Sequence, residues 1–598
     1  MTSPVLGSRR SARRSALVGL AGLPLMLTGL TTAGAASEDG SAGRFDQPFS
    51  GFAPASTTLV PGEPEEVGLR DEPIAEARGE IAEWTQGPGD TDGEHPLYAG
   101  AVSVLGHDGT VVSEDHTGWE LRYADGDGTE LPEDQWEPVE QDTIFDMASV
   151  SKLFTSIVVL QQVEAGRVAL DDPVAQHVPE FAEGGKNDVT VHHLLTHTGG
   201  LPPFIPLWQD YPDVESRIQA ALTVEPQAKA GEEYVYSDLS MITLGVLAER
   251  VSGRTLDELV HEGITEPLGM VDTGYNPSAE HVERTAATEF QATPDRGMVR
   301  GEVHDENAWS LGGVAGHAGI FSTGADMAIL AQAMLGGGAY DGERILTEDS
   351  VEAMITDENT EFPGNAHGLG FEIDQRWYMS GLSGPRSVGH TGYTGTSLVL
   401  DYDSRSFAVL LTNRVHPSRD WGSNNPARRA LAQGLAEALR IPPRHGDDAW
   451  SAAITPDTTS TIQAAIPSSP AGSRIAFDLF VDTEETDVLA LESSVDGGQS
   501  WQPVPFKARE RGSTHRFDEG VVGASGHRTW WQVTAHGPEQ PTGSQLLLRW
   551  RHTTDALYNG RGVLVDGVRV TVRGHGTVLD GEREPEAFTL DGWERVEG

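Results

Sequence analysis

The feature that most constrains the fold is an apolar stretch that follows Lys152 and runs to Ala165. Its large apolar residues fall on nearly every side of a helix: Leu153, Phe154, Ile157, Val158, Leu160 and Val163. Gly166 follows as a stop signal. A helix that is apolar almost all round has to be covered by protein on every side. The sequence therefore predicts a domain built around a central helix at 152–165.

The chain is too long for a single core, because cores stop growing near about 250–300 residues and this chain has 598. Helical and strand patterns alternate over 65–441, which predicts a mixed domain of both element types. Residues 442–473 are rich in Pro, Ser, Thr and Ala and predict a linker. Short apolar and polar runs alternate over 474–598, which predicts an all-β sandwich. Residues 37–64 predict a flexible leader.

The first residues have the pattern of an export signal. Four arginines form a basic region: Arg9, Arg10, Arg13 and Arg14. An apolar stretch over Ala16–Leu30 follows, and Ala33-Gly-Ala35 supplies the small residues that a signal peptidase recognises. The stretch is short for a membrane span, which needs about 20 residues. We predict a signal peptide over 1–36 and a secreted, extracellular protein, and both the general and the twin-arginine export routes stay open.

The charge balance limits the partners. Asp and Glu total 91 against 41 Lys and Arg, which gives a net charge of −50. Such a chain repels nucleic acid and anionic lipid, so we expect no nucleic-acid binding and no stable membrane anchor.

The chain has no cysteine, which excludes disulfides, thiol nucleophiles, thiolate metal sites and a lipoprotein anchor. His193 and His197 stand four apart, the spacing of a zinc-binding pair on a helix. The glutamate of the metalloprotease pattern is missing, so the sequence favours structural histidines and predicts no metal site.

The strongest chemical signal is Ser149-Val-Ser-Lys152 at the start of the apolar helix. A serine hydroxyl is a weak nucleophile until a base takes its proton. A lysine three residues further on lies on the same helical face. Burial would lower its pKa and let it accept that proton. By itself the pattern is more typical of a surface serine near a surface lysine, although it occurs once in this chain.

Two further motifs could complete a site. In Tyr236-Ser-Asp238, a tyrosine beside a lysine can share its proton and protonate a leaving group. His390-Thr-Gly392 is predicted on a strand that runs to Asp401, and a glycine there lets a substrate carbonyl approach the backbone. The N–H groups of Tyr393 and Ser149 could then form an oxyanion hole. Taken singly, the tyrosine could be a packing residue, and His390 and Thr391 could face solvent.

The three motifs, in this order and at these separations, resemble those of class C serine β-lactamases and the related D-alanyl-D-alanine peptidases, D-aminopeptidases and esterases. Leu194–Pro202 and Gly312–Thr323 add to the resemblance. It implies an α/β (α+β) domain, with an antiparallel sheet flanked by helices, and an all-helical lobe that holds the tyrosine.

The resemblance also implies roles for the motif residues. Ser149 would be the nucleophile, Lys152 its base and Tyr236 the proton shuttle, and water would release the acyl-enzyme. Asp238 and the segment His390–Tyr393 would bind the substrate and its oxyanion. No metal or organic cofactor is implied.

Two positions depart from the family pattern. Asp238 stands where Asn is usual, and an ionised carboxylate near Lys152 would favour the charged ammonium and weaken the base. His390 stands where β-lactamases have Lys, so a substrate carboxylate would meet a cation whose charge depends on pH.

We therefore expect a hydrolase of peptide, amide or ester substrates, such as D-amino-acid or cell-wall peptides. The alternatives are a dedicated β-lactamase and a non-catalytic protein that keeps the fold and binds the cell wall.

The C-terminal region resembles the β-jelly-roll modules of secreted peptidases of the immune inhibitor A type. Three segments carry this resemblance: Ser494–Trp501, Leu548–His552 and Asn559–Val568. Such modules bind glycans or calcium, or pack against a neighbouring domain, and the sequence leaves these possibilities open. Peptidoglycan or another glycan is thus a predicted partner of this region.

Overall fold

The structure, a computed structural model, describes residues 49–87, 95–510, 512–523, 528–541, 545–558 and 560–597. The predicted signal peptide and the leader up to residue 48 lie outside the described residues. Within those ranges, no helix has both the length and the apolar character needed to cross a membrane.

The helices and strands have the following bounds. The α-helices are α1 Asp71–Glu83, α2 Ser151–Glu164, α3 Val174–His177, α4 Val191–Leu195, α5 Leu207–Asp210, α6 Val214–Thr223, α7 Asp238–Ser252, α8 Leu256–Val260, α9 Glu266–Leu268, α10 Ala279–Val282, α11 Glu306–Ser310, α12 Gly324–Leu335, α13 Glu348–Met354, α14 Arg376–Met379 and α15 Asn425–Ala438. The strands before residue 440 are β1 Val60–Pro61, β2 Gly100–His107, β3 Thr110–Leu121, β4 Glu137–Pro138, β5 Phe145–Asp146, β6 Gly274–Tyr275, β7 Phe290–Gln291, β8 Gly297–Met298, β9 Ile320–Ser322, β10 Ala339–Tyr340, β11 Glu343–Arg344, β12 Glu372–Ile373, β13 Ser387–Thr391, β14 Ser397–Asp401 and β15 Ser406–Thr412. Those after it are β16 Asp448–Ala452, β17 Thr459–Pro467, β18 Ser473–Asp482, β19 Val488–Ser494, β20 Gln502–Pro503, β21 Phe506–Glu510, β22 Ser513–Phe517, β23 Val521–Gly523, β24 Trp530–Gly537, β25 Gln545–Thr553, β26 Gly562–Val572, β27 Gly576–Asp580, β28 Phe588–Asp591 and β29 Trp593–Glu597.

The main sheet has the strand order β1-β3-β2-β15-β14-β13-β12, with β4 beside β3. Its neighbours are antiparallel except β1 and β3, which are parallel. In β15, Phe407 and Val409 belong to the core around α2 and α12, whereas Ala408 and Leu410 face α1 and α15. Because helices cover both faces, β15 is apolar without alternation. The prediction of a sheet flanked by helices is confirmed.

The predicted central helix is confirmed as α2. Every residue from Ser151 to Leu160 is buried, and α7 and α8 pack against it. Helices α3 to α9 form the all-helical lobe, so α2 joins this lobe to the sheet.

The C-terminal region is an all-β structure of two sheets, as predicted. One has the order β22-β21-β24-β18-β26-β16-β29 with β27 beside β26, and the other β20-β19-β25-β17-β28 with β23 beside β19. Their inward side chains form one core that includes Trp550, Phe477 and Trp531. The likeness to jelly-roll modules of secreted peptidases stays a prediction.

The linker prediction for 442–473 is wrong where β16 and β17 lie. In β17, Ile462, Ala464 and Ile466 alternate with more exposed residues and enter the sandwich core. Thr459, Thr461 and Gln463 occupy the alternate positions of this strand, and the many small and polar residues of the segment conceal the strand period. The other predicted domain boundaries stay predictions.

The flexible-leader prediction is wrong for the described part of that segment. Phe49 and Phe52 pack edge-on against each other and against Tyr402, and β1 pairs with β3. Two aromatic side chains provide enough apolar surface to hold this short segment on the domain.

The predicted single strand that carries His390 and runs to Asp401 is also wrong. It is a hairpin of β13 and β14, in which Thr391 pairs with Ser397. The turn at 392–396 contains two glycines, and Gly395 has a φ of +116°, which side chains rarely adopt.

A buried arginine joins the sandwich to the mixed helix-and-sheet region. Both carboxylate oxygens of Asp401 accept from Arg528 Nη1 at 2.7 Å, and the side chains are 0% and 6% exposed. Arg528 also donates to the carbonyl oxygens of Leu382 and Ser383. The sandwich is thereby fastened to the far end of the β13–β14 hairpin.

We expect Arg528→Ala to lower the free energy of unfolding by about 3–5 kcal/mol, because it leaves the Asp401 carboxylate buried and unpaired. Urea unfolding followed by tryptophan fluorescence measures the loss. The control is Arg583→Ala, which removes an 82% exposed partner 3.8 Å from Asp580 and should cost at most about 0.5 kcal/mol. Equal losses in the two variants would show that the ion pair between Arg528 and Asp401 does not stabilise the fold.

Candidate active site

The serine motif, the tyrosine motif and the His317 segment meet around the side chain of Lys152. Ser149 lies in a 3₁₀ turn, Ala148–Val150, that leads into α2. The Lys152 ammonium donates to Ser149 Oγ at 2.8 Å and to the carbonyl oxygen of His317 at 3.1 Å, and lies 2.8 Å from Asp238 Oδ1. Three separate segments therefore converge on one buried nitrogen.

The pKa of Lys152 is shifted in the opposite direction from the one expected for a buried lysine that acts as a base. Burial acts to lower its pKa, but the charges of Asp238 and Tyr236 outweigh burial and raise the pKa above the ordinary value. The carboxylate is turned toward the amine, so the weakening expected from Asp238 is present in the structure.

Tyr236 lies close to Lys152 and Ser149. Lys152 Nζ lies 4.9 Å from the centre of the Tyr236 ring, and the side chains of Lys152 and Ser149 both act to lower the pKa of its hydroxyl. Burial raises the pKa of Tyr236, the Lys152 charge opposes this rise, and Asp238 adds to it.

The segment Leu194–Pro202 positions the tyrosine motif. His197 Nδ1 accepts from the Ser237 N–H at 3.1 Å, and its ring lies 4.7 Å from the Tyr236 ring. Ser237 Oγ donates to the Pro202 carbonyl at 2.7 Å. His193 hydrogen-bonds Thr190 in a helix cap. Both histidines thus have structural partners, as the sequence favoured.

Asp146 supports the nucleophile turn and was missed from the sequence. Its Oδ1 accepts from the Ala148 N–H at 2.8 Å and its Oδ2 from the His304 N–H at 2.6 Å. Ala148 has a φ of +46°, which is strained for a residue with a Cβ. Burial raises the pKa of Asp146. The available signal was a short acceptor side chain directly before the serine motif.

The turn after β13 packs directly against the nucleophile turn. Thr394 Oγ1 donates to the Asp146 carbonyl at 2.7 Å, and Thr396 Oγ1 to the Met147 carbonyl at 3.0 Å. A Cβ on Gly392 would lie 2.1 Å from Thr396 Oγ1 and 2.5 Å from the Met147 oxygen. Any other residue at 392 would therefore push the two turns apart.

The two predicted oxyanion donors have no competing acceptor. In the described part of the chain, neither the Ser149 N–H nor the Tyr393 N–H donates to a protein group. The Tyr393 side chain is 48% exposed and stacks 5.9 Å from His304.

His390 does not fit the expectation of a pH-dependent cation. It is 1% exposed, and its Nδ1 lies 2.9 Å from the Thr391 carbonyl oxygen, so Nδ1 carries the proton. Burial, together with the nearby Lys152 charge, lowers the pKa of His390 to about 3. The ring is therefore neutral at physiological pH, which corrects the expectation.

The site opens into a cavity of about 520 Å³. Its walls include Ser149, Tyr236, His390, Thr391, Gly392 and Tyr393. Arg414 and Arg428 also line it and were missed, because both lie outside the three motifs.

The two arginines hold different backbone segments, and Arg414 also donates to the Arg419 carbonyl at 3.0 Å. Arg428 donates to the carbonyls of Gly392 at 2.6 Å and Thr396 at 3.0 Å, and burial lowers its pKa to about 9. Arg414 donates to the Gly422 carbonyl at 2.6 Å and lies over the Tyr393 ring at 4.8 Å. Arg428 thus holds the hairpin turn, and Arg414 lies beside the predicted oxyanion donor.

Comparison with known proteins identifies the class of protein. The family model described as Beta-lactamase matches residues 93–433, so the chain belongs to the β-lactamase family of serine hydrolases. An Escherichia coli K12 protein named "Putative D-alanyl-D-alanine carboxypeptidase" is 32% identical over 325 residues, which cover 48% of this chain and 73% of that protein. A Salmonella typhimurium protein of the same name is 30% identical over 405 residues, covering 62% and 89%. A solved penicillin-binding protein homologue from Caulobacter crescentus is 22% identical and covers 62% and 99%, with a TM-score of 0.48.

We predict that acid destabilises the site through its buried neutral histidines. Burial lowers the pKa of His390 to about 3 and of His367 to about 4, whereas an unfolded histidine titrates near about 6.5. Below about pH 6.5 the unfolded chain binds more protons than the folded chain. The free energy of unfolding is therefore at its full value above this pH and decreases as the pH falls. Each histidine contributes a slope of up to about 1.4 kcal/mol per pH unit.

Urea unfolding between pH 7.5 and 5 measures this slope. His390→Asn removes one titrating group and should flatten the slope relative to the wild type. An unchanged slope in that variant would show that His390 is not held neutral.

Proposed function

We propose that this family member is a secreted serine hydrolase in which Ser149 forms an acyl-enzyme with a peptide, amide or ester substrate. The observation that carries the proposal is that Ser149 Oγ accepts from Lys152 at 2.8 Å, with Tyr236 beside Lys152, at the wall of an open cavity. A hydroxyl placed between two groups that exchange protons is the arrangement that nucleophilic catalysis requires.

The proposed reaction has two balanced halves. Ser149 Oγ bonds to the substrate carbonyl carbon while its proton passes to the Lys152–Tyr236 pair. The N–H groups of Ser149 and Tyr393 stabilise the negative oxygen of the intermediate. The pair then protonates the leaving amine or alcohol as its bond to the carbonyl carbon breaks. Water repeats the sequence on the acyl-enzyme and releases the acid and free Ser149.

For the substrate we propose a peptide that ends in a carboxylate, as D-amino-acid cell-wall peptides do. The names of the Escherichia coli and Salmonella relatives support this class. The lining arginines support it physically, because guanidinium groups bind carboxylates with paired hydrogen bonds. His390, being neutral, adds no positive charge.

Action as a dedicated β-lactamase is a second candidate, supported by the family that the chain belongs to. A non-catalytic wall-binding role is a third, and the ion pair between Asp238 and Lys152 favours it.

Secretion and wall binding are parts of the same proposal. The basic and apolar N-terminal pattern supports export. For the sandwich, Trp501 with Arg549 stacked 3.9 Å from its ring is a candidate glycan-contact surface. Calcium binding by the sandwich also stays a prediction. Its candidate ligands are Glu484, Asp487 and Asp555, whose carboxylates lie close together, and the Arg376 guanidinium lies 4.0 Å from Glu484.

We expect Ser149→Ala to lose about 10⁴-fold or more of the hydrolysis rate, since the nucleophile is removed. Intact-mass spectrometry after incubation with a fluorescent penicillin should show one adduct on the wild type and none on this variant. Ser423→Ala removes another cavity serine and serves as the control that keeps the adduct. Penicillin consumed without an adduct would favour the β-lactamase, and untouched penicillin together with intact peptides would favour the wall-binding role.

We expect Arg414→Ala to lower kcat/KM about 10–100-fold on a D-Ala-D-Ala peptide, because a charge-assisted hydrogen bond is lost. The same peptide with a C-terminal carboxamide should already be poor for the wild type, and the variant should cost it little more. Equal losses on both peptides would show that Arg414 does not recognise the carboxylate.

A further inference from the structure

The cavity beside Ser149 contains a glutamate that the proposed reaction does not use. Glu372 lies on β12 and pairs with Gly389 of β13, the residue before His390. Its side chain is half-buried and lines the same cavity as Ser149 and Arg414. In the described part of the chain, its buried Oε2 has no hydrogen-bond partner. This oxygen therefore lacks the donor that buried polar atoms usually have.

The cations near Glu372 are held by other partners. The charges of Arg428 and Lys152 both act on Glu372, but neither side chain is hydrogen-bonded to it. Arg428 donates to two carbonyls of the turn after β13, and Lys152 pairs with Asp238. The Tyr378 side chain also favours the ionised form of Glu372 but carries no charge. The carboxylate is thus left without a contacting cation from these neighbours.

The groups close to Glu372 in the cavity wall are acceptors and aromatic rings. The proton of His390 is on Nδ1, so its Nε2 is an acceptor, and this atom too is buried without a partner from the described residues. Tyr234, whose pKa is raised by burial and by the Glu372 charge, and Trp377 line the cavity. Aromatic faces attract cations. This part of the wall therefore suits a ligand group that is positively charged and rich in hydrogen-bond donors.

From these observations we propose that Glu372 binds an ammonium group of the substrate. The inference rests on the proposed acyl-transfer function and narrows its substrate class. With Arg414 binding the terminal carboxylate, the cavity takes a peptide that carries both a free carboxylate and a primary amine. The amine is either the N-terminal one or that of a side chain, as in a diamino acid.

The ionisation of Glu372 agrees with this role. Burial raises the pKa of Glu372 to about 7, although the side chains of Tyr378, Arg428 and Lys152 oppose the rise. An ammonium bound beside the carboxylate favours its charged form.

The other titratable groups around Glu372 do not change charge near pH 7. Burial holds His390 and His367 neutral, with pKa values of about 3 and 4. Burial raises the pKa of Tyr234 and of Tyr378. Lys152 and Arg428 stay charged, because the pKa of the first is raised and that of the second falls only to about 9.

Three peptides with the same D-Ala-D-Ala end test the proposal. They are Lys-D-Ala-D-Ala with both amines acetylated, with only the side-chain amine free, and with only the N-terminal amine free. We expect kcat/KM of the wild type to be about 10-fold higher or more on at least one free-amine peptide than on the doubly acetylated one, because a hydrogen bond between charged groups is worth that factor. The preferred peptide identifies the amine.

Glu372→Gln keeps the size of the side chain and removes its charge, so the preference should disappear. The matched control is Glu233→Gln. Glu233 is exposed and lies outside the cavity wall, and its replacement changes the net charge by the same amount. This control should keep the preference, which separates a local contact from the general attraction of an acidic protein for cationic peptides. A wild type without a preference, or a preference that survives in Glu372→Gln, would overturn the inference.

Binding to Ser149→Ala, measured by calorimetry, needs no turnover. The preferred peptide should bind this variant about 10-fold more tightly than the doubly acetylated peptide, and the double variant Ser149→Ala/Glu372→Gln should bind both equally. The affinity for the preferred peptide should fall from pH 8 to pH 6, because Glu372 gains a proton. The peptide amines also gain protons over this range, so the peptide cannot cause the fall. Equal affinities in Ser149→Ala, or a fall that persists in the double variant, would contradict the ammonium site.

The two failures are distinguishable. A wild type that hydrolyses none of the three peptides refutes the proposed function for this substrate class. The calorimetry still decides whether Glu372 binds the ammonium.

Discussion

The buried ammonium of Lys152 is the interaction on which the rest of the site depends. A charge that is 1% exposed is tolerated only when hydrogen bonds and an opposite charge surround it. The acceptors come from the nucleophile turn, from the N-terminus of α7 and from the His317 segment. These elements belong to the sheet region and to the helical lobe, so the requirement to satisfy one nitrogen fixes how the two parts meet. It also places Ser149 Oγ beside the Lys152 ammonium, in the same cavity wall as the Tyr236 side chain.

A second set of contacts fixes the backbone rather than the side chains. Asp146 ties the strained turn before Ser149 to the His304 segment. Arg428 holds the carbonyls of Gly392 and Thr396 from the opposite side. The turns that carry the Ser149 and Tyr393 N–H groups are thereby locked together, as a preorganised oxyanion site requires. Arg528 secures the other end of the same hairpin through Asp401, so the sandwich supports the hydrolase region.

The sequence predicts what local patterns encode. The apolar period of α2 and the strand texture of the sandwich follow from periodicity, whereas the common site of the three motifs was implied by the family resemblance. What was missed depends on tertiary contacts: Arg414 and Arg428 lie far along the chain from Ser149, and the pKa of His390 is set by burial that no local pattern reveals. The segments at 49–64 and 442–473 were misjudged because their small and polar residues conceal a few inward side chains, such as Phe52 and Ile462.

The central claim, that Ser149 attacks a carbonyl whose oxygen is stabilised by two backbone N–H groups, is tested most directly by a crystal structure of the chain treated with a serine-directed phosphonate. The account predicts a covalent bond from phosphorus to Ser149 Oγ. It also predicts a phosphonyl oxygen within about 2.7–3.1 Å of both the Ser149 and the Tyr393 nitrogen. Phosphorus on another residue, or a phosphonyl oxygen turned away from these two nitrogens, would contradict it.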